Sequence, residues 1–394
     1  MAVQSTTLTG VGNIEVRGNV LEWAISDAGL NRAQVVASLD SGLDLSQSED
    51  NTVWISEADL RKIASATRRP LHFFALASPP PSSKKTVSVN FRAPASNDGS
   101  PRALNSEERF AVRQAKRRQD IASKLSHKLG EKPVQLLELK SDESPASAAQ
   151  KAAKWLEWDL KKNRKKLNSK NKVFVALRTS LADHGILTNL VKVDGDSFRG
   201  FSLHHEYAPL IFINASLKSP AARSFTLLHE LAHLLMGIDK ACARHDLQSR
   251  TSDEAWCNRF AAAFMMPAED VKNYLQKYPK KDFVASGDLE TLRLVSNYFR
   301  TSYFSAAIRL KELGLANEAL VKSVSGSFQE EEKPGRAPGK TRPELRLAEF
   351  GSVFTRLVDQ GLEQASVSEV EARKLFRVDK DELRTLRSLG QVPA

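Results

Sequence analysis

The stretch FTLLHELAHLLMG, residues 225–237, sets two histidines four positions apart, with a glutamate directly after the first, inside an otherwise apolar run. At about 3.6 residues per turn, His229 and His233 fall on one helix face, one turn apart. The punctuation agrees with a helix. Ser219 is placed to cap it, Pro220 suits its first turn, and Gly237 can close it in the left-handed conformation. An apolar helix that buries a carboxylate and two imidazoles without partners loses several kcal/mol. The three polar groups must therefore be answered by something. Ordinary core hydrogen bonds are one answer; a metal ion is the other, because two neutral imidazoles at this spacing bind one Zn²⁺. Glu230 would then sit beside the ion rather than on it, placed to take a proton from a water the metal activates.

A zinc site needs a third protein ligand. The longer pattern HExxHxxGxxH fails, since position 236 is Met and position 239 is Asp. Asp239, Cys242 and His245 lie in the connector that follows, and Glu254 opens the segment SDEAWCNRFAAAFMMP. Ser252 is expected to cap that second helix and Pro267 to end it. Glu254, Cys257, Asn258 and Ala261 share one stripe, whose small residues allow close packing on the motif helix. Glu254 is the preferred ligand, with Asp239 and His245 as alternatives. Trp256, Phe260 and Phe264 fill another face as core, and Cys257 reads as a small buried residue. His204, His205 and Tyr207, in FSLHHEYAP, are candidates for the cleft rim or for stabilising an oxyanion.

The chain has 394 residues, 41% apolar and 27% charged, enough for a full core and for two or three domains. No apolar run reaches the length of a membrane span. The start, MAVQSTTLTGVGNIEV, shows neither a basic region nor an apolar signal core, and the only cysteines are Cys242 and Cys257. These features point to the cytoplasm and away from a disulfide framework or a membrane partner. The net charge of +11 is unevenly spread: residues 1–60 carry two basic and nine acidic residues. Basic residues concentrate in RQAKRRQD (113–120) and KKNRKKLNSKNK (161–172). Such runs attract nucleic acid or acidic proteins, or else are simply solvated helix faces.

Along the chain, NVLEWAISDAGL, NRAQVVASL and SEADLRKIASAT have helical spacing, with Asn31 and Ser56 as N-caps, and suggest a helix-turn-helix-like bundle. ASPPPSSKKT and APASNDGSP mark a linker. Helical patterns follow at 106–130 and 145–160, then a helix in VFVALRTSLADHGI. LTNLVKV, FRGFSLH and APLIFINASL read as strands, the last as an edge along the cleft that could pair with an extended peptide. Beyond the two motif helices come further helices to about residue 320, a polar Gly/Pro-rich hinge, and a helical tail.

RSFTLLHELAHLLMG followed by DEAWCNRFAAAFMMP resembles the ImmA/IrrE-type zinc metallopeptidases. Their pattern is an HExxH helix, then Glu-x-x-Ala/Cys-Asn-x-Phe-Ala before an apolar pair and Pro. FRGFSL, APLIFIN and VNFRAP also fit, and RPLHFFAL resembles the close of an XRE-like helix-turn-helix domain. The resemblance implies a mainly helical α+β fold with a zincin-like core, the HExxH helix plus a small sheet. It implies one Zn²⁺ on His229, His233 and Glu254, with Glu230 as general base. It also implies a protein substrate, such as a transcriptional repressor or operon neighbour, in a regulatory, stress-response or toxin–antitoxin-like system. The expected layout is a degenerate helix-turn-helix domain at 1–78, a linker at 79–105 and the metallopeptidase domain at 106–322. A flexible hinge at 323–343 and a C-terminal helical domain at 344–394 complete it. The departure is in the expected recognition region, DSGLDLSQSEDNTVWISEAD, which has no Lys or Arg. Phosphate contacts supply most non-specific DNA affinity, so this domain reads as a packing or docking relic. The tail SVSEVEARKLFRVDKDELRTLRSLG also reads as a helix-turn-helix. The rival reading is a DNA-binding regulator, or a partner-holding protein, whose metal is structural or sensory.

Overall fold

The computed structural model describes residues 13–37, 39, 52–80, 104–140, 142–194, 198–237, 247–277, 280–324 and 339–391. The expected recognition region falls mostly outside them, as do Asp239, Cys242, His245 and the centre of the hinge. The chain forms two compact units, dividing within one long helix between Gln114 and Ala115.

In the N-terminal unit the helices α1 (Gly18–Asp27), α2 (Arg32–Val36) and α3 (Glu57–Ala66) match the expected segments. Asn31 and Ser56 cap α2 and α3, Asn31 in a reciprocal capping box with Gln34. Two strands are an addition to the sequence reading. β1 (Asn13–Arg17) pairs antiparallel with β2 (Thr52–Ser56). Each is five residues long, too short for alternation to stand out, yet Val16, Val53 and Ile55 point into the same small core as Leu21, Ile63 and Phe74. The first turns of α4 (Ser106–Lys128) belong here too: Arg113 joins Arg69 on the Asp27 carboxylate at 2.8 and 2.6 Å. Burial, with Arg69 adding like charge, lowers the Arg113 guanidinium to about 10.

The larger unit is built on a three-stranded sheet. β3 (Leu187–Val191), β4 (Gly200–Leu203) and β5 (Leu210–Asn214) stand in the order β3-β5-β4, with β3 parallel and β4 antiparallel to β5. The expectation that APLIFIN lies at an edge is therefore wrong: among the described strands β5 is central and β4 is an edge. The physical reason is in the segment itself. LIFIN is buried at all five positions, and a continuous apolar run belongs to a strand covered on both faces.

One face, through Ile211 and Ile213, shares a core with α6 (Lys170–Asp183) and α7 (Pro220–Met236). On the opposite face Phe212 stacks on Phe201, 4.6 Å between centroids. α5 (Pro145–Trp155) and α7 both pack on α8 (Leu247–Met265), and α9 (Ala268–Lys277), α10 (Leu289–Phe299), α11 (Tyr303–Glu312) and α12 (Glu318–Val324) extend the core. The tail forms α13 (Arg342–Phe350), α14 (Ser352–Glu363), α15 (Glu369–Phe376) and α16 (Lys380–Gln391), with α13 and α14 against β3. No described helix is long and apolar enough to cross a membrane.

The basic runs take different courses. Arg118 is 8% exposed, pairs with Glu349 at 2.5 Å and lies over the Phe350 ring, so that part of 113–120 is structural rather than a solvated face. Most of 161–172 lies outside helix, half of it in turns, leading into α6.

Candidate metal centre

α7 is buried at thirteen of its positions, His229, Glu230 and His233 among them. It starts at Pro220 and ends at Gly237 in the left-handed conformation, φ 61°. Ser219 occupies the N-cap position, but its hydroxyl makes no capping hydrogen bond. Ser252 does not cap α8, because the helix begins at Leu247, more than a turn earlier.

The packing of α8 on α7 brings three donors together. His229 Nε2 lies 3.2 Å from His233 Nε2 and 3.1 Å from Glu254 Oε2, and His233 Nε2 lies 3.1 Å from Glu254 Oε1. His229 is 0% exposed and His233 5%, whereas the Glu254 side chain is 37% exposed, so the cluster opens to solvent on the α8 side. These separations suit an ion: zinc bonds of about 2.0–2.1 Å put tetrahedral donor atoms about 3.3 Å apart. Among the described residues, His229, His233 and Glu254 are the His/Cys/Asp/Glu group that could hold a metal.

The electrostatics of the cluster reflect the same convergence. Burial opposes charge on His233, but contacts with Cys257 and Glu254 outweigh it and raise its pKa well above the ordinary value. Burial would raise Glu254, yet hydrogen bonds from His229 and His233 hold it far below the usual carboxylate range.

Glu230 stands on α7 with its side chain fully buried beneath the start of β4. A Cβ at Gly200 would lie 2.7 Å from Thr226 Cγ2, 2.8 Å from Phe212 O and 3.3 Å from Glu230 Cγ. The edge strand thus passes directly over the glutamate. His204, His205 and Tyr207 lie beyond the other end of β4. There the Tyr207 ring packs on His127, centroids 4.0 Å apart, and Tyr207 N donates to His205 Nδ1 at 3.1 Å. Gln119 Nε2 closes that turn by donating to Leu203 O and Ala208 O. Burial lowers the His205 pKa.

Trp256, Phe260 and Phe264 pack as core, Trp256 also donating Nε1 to Glu143 O at 2.9 Å. Cys257 and Asn258, small packing residues by their place on the stripe, also contact the histidines, which the sequence alone does not reveal. Asn258 Oδ1 lies 3.1 Å from His229 Nδ1, and Cys257 Sγ lies 3.6 Å from His233 Nδ1. Their place on the stripe with Glu254 was the available signal.

Residues 181–311, which span β3 to β5, the motif helix and α8 through nearly all of α11, match the family model Peptidase_M78, described as the IrrE N-terminal-like domain. This segment is a domain of the ImmA/IrrE family. No curated protein matches the chain. The ImmA/IrrE domain accounts for the mainly helical α+β architecture with a zincin-like core, supports a metallopeptidase-like function and implies a metal.

Proposed function

We propose that this chain is a zinc-dependent endopeptidase that cleaves a protein partner, such as a repressor or operon neighbour. The observation that carries the reading is the convergence of His229 Nε2, His233 Nε2 and Glu254 at 3.1–3.2 Å, with Glu230 buried alongside. The three residues would hold Zn²⁺, which supplies Lewis acidity to a water and to the scissile carbonyl. Glu230 takes the proton from the attacking water and passes it to the leaving amine. Its carboxylate is fully buried. β4, at the sheet edge and over Glu230, takes the place first expected of β5: an extended substrate segment would pair with it.

The test is to incubate the metal-loaded protein with its operon neighbour, using Glu230→Gln as control. Glu230 is not a ligand in this scheme, so zinc content and folding should persist in the variant. Cleavage should fall ~10²–10⁴-fold, the usual contribution of a general base. A biological effect that survives Glu230→Gln but vanishes in His229→Ala would make the metal structural or sensory and end the peptidase reading.

A further inference from the structure

A metal-binding histidine has two ring nitrogens, and only one can face the ion. The other decides whether the ring presents a lone pair or a proton, so its partner fixes both tautomer and orientation. At His229 the nitrogen turned toward Glu254 and His233 is Nε2, and the nitrogen turned away, Nδ1, meets Asn258 Oδ1 at 3.1 Å. A carboxamide oxygen only accepts. The hydrogen of that contact then sits on Nδ1, and Nε2 is the nitrogen left to face the cluster, 3.1 Å from Glu254 Oε2.

We infer that Asn258 is a positioning residue: it locks His229 in the Nδ1-protonated tautomer with Nε2 aimed at the metal. The inference rests on the zinc reading above. Asn258 follows Glu254 by one helical turn, so α8 delivers a ligand and the anchor of a second ligand on one rigid face. Asn258 is part-buried and His229 is 0% exposed, so water competes poorly for the hydrogen bond. Cys257, one residue earlier, meets His233 Nδ1 at 3.6 Å, but a thiol is a weak partner. The stronger restraint therefore falls on His229.

The experiment compares zinc affinity, by chelator competition on the full chain, in wild type, Asn258→Leu, Asn258→Asp and His233→Ala. The leucine has nearly the same volume but no acceptor; the aspartate keeps an acceptor in place. Asn258→Leu should weaken zinc binding ~10–100-fold, as loss of outer hydrogen-bond partners does elsewhere, and Asn258→Asp should recover most of it. Histidine ring ¹⁵N spectra of the zinc-loaded wild type supply a readout that needs no variant to fold. His229 should show a protonated Nδ1 and a metal-bound Nε2. Equal zinc affinity in Asn258→Leu and wild type, or a zinc-bound His229 coordinated through Nδ1, would overturn the inference. Zinc retained in His233→Ala would instead remove the metal site itself, so the two failures are distinguishable.

Discussion

Gly200 sits where β4 comes closest to α7, and the residue there cannot carry a side chain without moving something else. A methyl would meet Thr226 Cγ2 at 2.7 Å and the Phe212 carbonyl at 2.8 Å, the second being backbone that cannot swing aside. Gly200→Ala should destabilise the protein by about 1–3 kcal/mol, the usual cost of overpacking. It should also push β4 away from Glu230, lowering the proposed peptidase activity more than zinc content. A thermal melt with metal analysis checks both; an unchanged melting temperature would show that the contact is looser than described. At this scale the sequence was most informative about His229, Glu230, His233 and Glu254, because fixed spacing on a helix determines which side chains share a face. It was uninformative about Gly200 and the turn holding Tyr207. Those depend on which strand passes over which helix, and no local periodicity encodes that.

Among the elements, α7 was legible from its caps and apolar run, while the start of α8 was not. Ser252 is a sound N-cap by chemistry, but the helix runs on through Leu247–Thr251, and a capping residue marks a boundary only where the chain before it leaves the helix. The tail shows the same limit. α15 and α16 match the expected pair of helices, yet α13 and α14 lie against β3, in the same compact unit as the sheet. Gly351, at the junction of α13 and α14, sits so close that a Cβ there would lie 2.7 Å from Thr188 O. These helices shield the β3 side of a sheet whose other edge is β4. A bare edge strand invites intermolecular pairing. A chain ended after residue 324 should therefore melt at a lower temperature and aggregate on concentration. A truncated protein as soluble and heat-stable as the full chain would show that α13 and α14 are accessory.

Across the whole molecule, α7 supplies two of the proposed ligands and α8 the third, and the segment joining the helices contains Asp239 and His245. An ion gripped by both helices binds the folded chain and has no comparable site on the unfolded one, so mass action ties stability to free zinc. Each tenfold rise in free zinc above the dissociation constant adds about 1.4 kcal/mol. The melting temperature should climb with the logarithm of zinc concentration in wild type, Asp239→Ala and His245→Ala, and lose that slope in Glu254→Ala. A flat wild-type response would mean the ion does not join the two helices; a flat response in Asp239→Ala would move the third ligand into the joining segment. Where the slope holds, zinc scarcity shortens the protein's lifetime as well as silencing its chemistry. A cell that sequesters the metal would then clear the protein by proteolysis.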